Sequence, residues 1–207
     1  MGHSRAEKAK THERVVTLAS KRFREKGLTG IGIAELMKEA GLTVGGFYKH
    51  FGSRDDLVAE AMRSATGDWK RKLNATASGR APITFEFLVD DYLSEAHRDH
   101  PGTGCPISAL SADIARSDKR TRALVTAGAK ENIELLARTI RESGEEDKAA
   151  RSRAILTYCA LVGAIAVARA VSDEQLSREI LKTVAPLLKS PAPKVASRHH
   201  GRQYVNS

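Results

Sequence analysis

The sequence predicts an all-α protein, with a small three-helix head at the N-terminus set on a larger helical body. Three observations lead there. Apolar residues recur at helical spacing in nearly every segment of the 207-residue chain. No stretch alternates with a period of two over a useful length, and no internal repeat is present. Glycines and Ser/Thr/Asp caps fall between the periodic segments, where helices should stop and start.

In order, Ala6 to Lys26 carries Val15, Val16, Ala19 and Phe23 on one face, and Gly27 with Gly30-Ile31-Gly32 breaks it. Ile33 to Ala40 presents Ile33, Leu36 and Met37 and stops at Gly41, a residue suited to the left-handed backbone that ends helices. Thr43 is a candidate N-cap for a second short helix, Val44 to about His50, which Gly52 ends. Ser53 then caps a long helix with Leu57, Ala61 and Met62 inward and Asp55-Asp56 in its first turn. A loop is expected from Thr76 to Pro82, then one helix from Ile83 to Arg98. The turn Pro101-Gly102-Thr103-Gly104-Cys105-Pro106 precedes a short helix, Ile107 to Arg116, and a long one, Lys119 to Glu142.

The last two helices differ in kind. Asp147 to Val171 mixes Ala154, Ala160, Gly163 and Ala164 with Ile155, Leu161 and Ile165, a composition for close approach on several sides. After a cap at Ser172 or Asp173, the final helix carries Leu176, Ile180, Leu181, Val184 and Leu187. This pair is either internal core or half of an intermolecular four-helix bundle. The predicted division is a head at 1–52, a body at 53–189 and a basic tail at 190–207 that is expected to be disordered.

Charge is distributed unevenly. The formal net charge is +9. Residues 1–52 hold ten Lys/Arg against five Asp/Glu, and the chain from Lys189 onwards holds four basic residues and no acidic one. A basic head suits a polyanion, because neutralising phosphates releases counterions; a solvated basic surface would look the same by charge alone. Two cysteines are too few for a disulfide framework. No apolar run approaches the roughly 20 residues of a membrane span, and Met1 to Lys10 lacks the apolar core of a secretory signal. A cytoplasmic, nucleoid-associated protein with no membrane partner is expected.

Ile33 to Phe51 has the anatomy of a helix-turn-helix: a positioning helix, a tight turn at Gly41, and a second helix that enters the major groove by its N-terminus. Leu36, Leu42 and Phe47 are set to lock the two helices together. An ordinary αα-hairpin shares this spacing. The residue identities go further. Gly27, Ala40-Gly41, Thr43, Gly45, Tyr48, His50, Phe51, Arg54 and Asp55-Asp56 stand at offsets that resemble the head of the TetR/AcrR-type transcriptional regulators. The likeness is strong over about thirty residues, and chain length and helix order extend it weakly over the whole protein.

That resemblance implies a sequence-specific regulator, a repressor released from double-stranded operator DNA by a small-molecule or redox signal, with no enzymatic activity and no cofactor. It implies a homodimer built through the last two long helices, and a body that encloses the pocket of an unknown small-molecule effector. Thr43 and Tyr48 would bond phosphates, with Lys49 and His50 adding charge or a donor. Arg54 would meet phosphate beside the N-terminus of its helix. Val44 would read a thymine methyl, with Gly45 and Gly46 permitting close approach. Ile31 and Gly32 stand where the family usually has hydroxyl residues, so positioning would lean on Lys38 and the basic first helix.

Candidate effector-pocket residues are Trp69, Phe85, Leu88, Tyr92, Leu110 and Tyr158, each of which would also suit ordinary core. Cys105, just before a helix-initiating Pro106, is a candidate redox sensor, since a helix N-terminus favours thiolate; a small capping thiol is the plainer reading. Cys159, amid small residues, is expected to be packing. His97, Asp99, His100 and Cys105 could be taken for a metal site or a Cys–His pair, but no second ligand cluster accompanies them, and no metal is expected. The reading from a different class is a small-molecule or thiol-redox-binding helical protein, or an enzyme, whose hairpin is purely structural.

Overall fold

A computed structural model describes residues 5–77 and 83–190, with backbone alone at 68 and 70–77. Its described residues form helices α1 (Arg5–Lys26), α2 (Ile33–Glu39), α3 (Val44–Phe47), α4 (Arg54–Ala77), α5 (Phe85–Tyr92), α6 (Glu95–Asp99), α7 (Pro106–Arg116), α8 (Lys119–Glu142), α9 (Asp147–Ala170) and α10 (Glu174–Lys189). A 3₁₀ turn, Pro101–Thr103, joins α6 to α7. Most of the expected loop after Thr76, and the tail beyond Ser190, lie outside the described residues.

Side-chain caps fix five of the helix starts, each satisfying amides that have no partner within the helix. Ser53 Oγ accepts from the Asp56 amide at 3.0 Å, and Asp118 accepts from Thr121 at 2.7 Å. Asp173 accepts from Gln175 and Leu176 at 2.8 and 3.2 Å. The expected single helix from Ile83 to Arg98 is two. Thr84 caps α5, Leu93 leaves helical geometry, and the Ser94 hydroxyl accepts from the His97 amide at 3.2 Å to start α6. A serine hydroxyl offering the backbone an alternative bond ended the helix where the apolar spacing did not.

Two hydrophobic clusters hold the chain together. The first gathers Val15, Phe23, Ile31, Leu36, Met37 and Phe47 of the head with Leu57, Ala61 and Met62 of α4 and Leu110 and Ile114 of α7. Head and body therefore share a core across the expected boundary at 52/53. The second gathers α5, α8, α9 and α10 around Leu88, Leu136, Leu161 and Ile165. Between them α4 runs against α8 so closely that a Cβ on Gly128 would stand 2.7 Å from Thr66 Cβ. Glycine is what allows the two axes to meet there.

Helix α9 is long and apolar enough, by length and composition alone, to cross a bilayer, which the expectation of no apolar span overlooked. It packs between α8 and α10, with Ala154, Leu161, Ile165 and Ala168 buried. Its other face carries exposed Ile155, Leu156, Cys159 and Val167, with Leu176 and Leu187 of α10 also exposed. Cys159 is therefore not a packing residue within this chain.

Candidate nucleic-acid interface and effector cleft

The head interface begins with the turn after α2. Gly41 adopts φ +69°, Leu42 N–H donates to Met37 O at 2.8 Å, and Gly41 N–H donates to Lys38 O at 3.0 Å. This pair of bonds is the Schellman arrangement, and it reverses the chain within two residues. Leu36 and Phe47 are buried and Leu42 packs against their cluster, as the sequence predicts. The second helix is shorter than expected, closing at Phe47, with Lys49, His50 and Phe51 amides continuing its turn.

Because Phe47 points inward, its neighbours point out. Val44 is 49% and Tyr48 69% exposed, and Lys38, Thr43, Gly45 and Lys49 are exposed beside them, with Gly46 half-buried. Thr43 occupies the N-cap position but makes no cap bond with its hydroxyl, which leaves that oxygen for a partner. Tyr48 sets its ring edge-on to Phe47 at 5.2 Å, fixing its direction. Much of the head's other basic charge is spoken for: Lys26 pairs with Glu35 at 2.6 Å, and Arg22 with Glu39 at 2.7 Å and Glu25 at 2.6 Å.

Two of the expected phosphate-side residues are less open than their neighbours. Arg54 turns inward: one guanidinium nitrogen donates to Leu28 O and, at 3.1 Å, to Ile31 O, and the group lies over the Phe23 ring. It ties the α1–α2 loop to α4, a structural duty that the motif offset did not reveal. His50 is half-buried, with Nδ1 lacking a partner and His12 6.0 Å away. Burial, then the positive charges of His12, Lys8 and Lys49, holds its imidazole below the usual histidine range.

The body carries a cleft of about 1310 Å³ that runs from the flank of α1 to α4, α6 and the turn before α7. Of the predicted pocket residues, Trp69, Tyr92 and Cys105 line it. Phe85, Leu88, Leu110 and Tyr158 do not; they are core, because an apolar side chain on a buried face meets atoms more often than empty space. Cys105 stands at the α7 N-cap position, directly before Pro106, but its thiol makes no cap bond. Its amide donates to His97 Nε2 at 3.0 Å, and His97 Nδ1 lies 2.6 Å from Tyr92 O. An amide can only donate and a carbonyl only accept, so the proton sits on Nδ1. Both ring nitrogens are thereby used by backbone, which removes the histidine from any metal or Cys–His pair. Among the described residues, no group of three His, Cys, Asp or Glu side chains is arranged to hold a metal.

Sequence reasoning missed three side chains here. Arg24 is buried, with Nε donating to Ser20 O at 3.0 Å and Nη1 to Gly104 O at 2.7 Å, joining α1 to the Cys105 turn. Its signal was a charged residue within the stripe Val16–Ser20–Phe23 that the α1 core occupies. Arg169 of α9 donates to His97 O, Arg98 O and Ser108 Oγ, at 2.5, 2.9 and 3.1 Å. Asn132 of α8 lines the cleft.

Comparison with known proteins agrees with this architecture. The family described as bacterial regulatory proteins, tetR family, matches residues 15–61, and the C-terminal domain of LmrA/YxaF-like transcriptional regulators matches 83–184. The chain belongs to the TetR family. It is a DNA-binding transcriptional regulator whose fold is the TetR fold. The chain is 26% identical over 152 residues to the transcriptional repressor NemR of Escherichia coli, covering 72% of this chain and 73% of NemR. It is 21% identical over 187 residues to the regulator LmrA of Bacillus subtilis, covering 86% and 97% of the two chains. The crystal structure of E. coli NemR in its reduced form superposes with a TM-score of 0.71 at 22% identity, covering 87% of this chain and 95% of that one.

Proposed function

We propose that this TetR-family chain is a homodimeric repressor that binds double-stranded operator DNA through Lys38, Thr43, Val44, Gly45, Gly46, Tyr48, Lys49 and His50. The observation that carries this reading is the outward display of Val44, Tyr48 and Lys49 around the inward anchor Phe47. Thr43, Tyr48 and Lys49 meet phosphates and set register, while Val44 contributes an apolar contact to a thymine methyl. Arg54 acts by holding the α1–α2 loop against α4. The head is residues 1–52 and the effector-binding and dimerising body 53–189, and the partner copy packs on Ile155, Leu156, Val167, Leu176 and Leu187. Such a protein works in the cytoplasm, where the DNA is, and catalyses nothing.

The cleft beside Trp69, Tyr92 and Cys105 receives the releasing signal. A small molecule does so by binding there; an oxidant does so by converting the half-buried Cys105 thiol to sulfenic acid at the start of α7. NemR, a relative, has a structure designated as its reduced form, which supports weighing a redox signal. The test is a gel shift on the promoter region of the protein's own gene and its neighbours at moderate salt. Specific binding is expected, weakened across all sequences by Tyr48→Phe and changed in preference by Val44→Ala. Binding without sequence preference, or none at all, overturns the reading. Release by hydrogen peroxide that survives Cys105→Ser would remove the thiol from the mechanism.

A further inference from the structure

One wall of the cleft is the flank of α1, and that flank is basic. Lys10, Arg14 and Lys21 all line the cleft. Their spacing puts them on one face of the helix, over about 16 Å of its length at roughly 1.5 Å per residue. Lys10 and Arg14 are exposed, and among the described residues neither has a carboxylate within ion-pair distance. Lys21 has only a loose pair, with Glu25 at 3.9 Å. Two guanidinium groups add positive charge from behind the cleft lining. Arg24 Nη1 donates to the carbonyl of Gly104, a lining residue, at 2.7 Å, and Arg169 Nη2 lies 3.1 Å from where a Cβ on Gly104 would stand. Arg169 is held by two carbonyls and a serine hydroxyl, all neutral, so these bonds leave its charge uncancelled.

Negative groups are fewer, and two of the three are engaged. Glu7 and Asp91 line the cleft and each already has a partner, which leaves Glu13 against the basic wall. The body offers apolar surface across from α1, from Ala65 and Trp69 of α4, Ala96 of α6 and Pro106 of α7. The cleft volume of about 1310 Å³ exceeds the roughly 300–1,000 Å³ of most small-molecule pockets. It has room for an apolar body as well as a charged group.

From this pairing of surfaces we infer that the cleft binds an amphipathic anion, a small molecule with a carboxylate or phosphate on an apolar body. Lys10 and Arg14 hold its charge, while Ala65, Trp69 and Ala96 take its body. The two basic residues stand one helical turn apart, with about 5–6 Å between their β-carbons, so both reach a single oxyanion. The planar fork of Arg14 suits either head group. Such a ligand bridges the head helix α1 and the body helices α4 and α6, so binding acts on the contact between them. The inference rests on the reading of the cleft as the effector site and names the class of effector.

The experiment uses the full chain with decanoate, decyl phosphate, decanol and decyltrimethylammonium, all below micelle-forming concentration. Calorimetry gives the affinities, and the emission of Trp69, the only tryptophan in the sequence, reports a ligand beside it. The better of the two anions should bind roughly tenfold tighter than decanol, the scale of two partly exposed ion pairs, and the advantage should shrink as salt is raised. The order of decanoate and decyl phosphate identifies the head group. Lys10→Gln/Arg14→Gln changes two exposed side chains without ion-pair partners, so it should fold as the parent does. It should bring the anions to within threefold of decanol and leave decanol itself unchanged, and Arg14→Lys should keep most of the preference. Decanol binding as tightly as both anions, tighter binding of the cation, or no response of Trp69 to any probe overturns the inference. So does a double variant that keeps the anion preference, and if that variant loses operator affinity instead, the two residues belong to the DNA surface. A parallel gel shift separates the two readings. Anion binding without operator release sinks the effector role and leaves the ligand class standing. Operator release by decanol and the anions alike keeps the effector role and sinks the class.

Discussion

Lys49→Ala offers the most quantitative test of the head, because its effect is read as a slope rather than a single affinity. Lys49 is exposed and, among the described residues, no carboxylate lies within ion-pair distance of it. Its removal should leave stability unchanged. If it neutralises one phosphate in each half-site, the dimer loses two such contacts. The logarithm of the observed affinity falls with the logarithm of salt by about 0.9 per neutralised phosphate, so the slope should become shallower by about 1.8. Between about 50 and 200 mM salt, a fourfold change, this makes the variant's affinity fall roughly 12-fold less steeply than that of the parent. Fluorescence anisotropy of a labelled operator at four salt concentrations measures it. Lys26→Ala is the internal control: Lys26 already pairs with Glu35 at 2.6 Å, so its loss should move the slope by less than half as much. A slope change for Lys49→Ala no larger than that for Lys26→Ala would refute the assignment of Lys49 to phosphate.

Three further outcomes follow from particular atoms. Gly41 holds φ +69° in the helix-turn-helix turn, so Gly41→Ala should cost about 1–2 kcal/mol in urea unfolding and Gly41→Asn less; equal stability of all three would contradict the turn geometry. His50 sits below the usual histidine range, so between its lowered pKa and about 6.5 the folded head binds fewer protons than the unfolded chain. Stability therefore rises with pH through that window and is lost on acidification. The urea midpoint should drop less between pH 7 and pH 5 in His50→Gln, and an identical drop would remove His50 as the cause. Leu156, 67% exposed on α9, should be indispensable only to the dimer. Leu156→Glu should sediment as a folded monomer, and a persistent dimer would move the interface elsewhere.

The sequence carried the helices better than it carried the empty space between them. The helix at about Lys119 to Glu142 is legible, because an apolar stripe and a following Gly144 act locally. The break at Leu93–Ser94 was illegible, since the apolar spacing of Leu88 and Tyr92 runs up to it and the Ser94 hydroxyl decides the matter. In the site, outward Val44, Tyr48 and Lys49 follow from inward Phe47, a relation internal to one helical turn. Phe85, Leu88, Leu110 and Tyr158 failed as wall residues for a different reason: periodicity tells that a side chain is turned inward, not whether its neighbour is an atom or a cavity. Cys159 failed because the small residues around it mark a face that is open within a single chain.

In the repressor proposed above, Arg24 and the shared core are the route by which a body event would reach the DNA. Phe47 of the recognition helix, Phe23 of α1, Met62 of α4 and Leu110 of α7 belong to one hydrophobic cluster. A close-packed interior moves by discrete repacking rather than by bending, so a shift of α7 cannot be absorbed locally. Cys105 caps α7 by position, and the Arg24 bond to Gly104 O at 2.7 Å fastens the preceding residue to the C-terminal end of α1. Whatever fills the cleft or alters Cys105 therefore acts at a joint between head and body. Half-sites of an operator lie about 34–36 Å apart, and the two heads of the proposed dimer would have to meet them at once. A change of spacing too small to disturb either head alone is then enough to prevent both from docking.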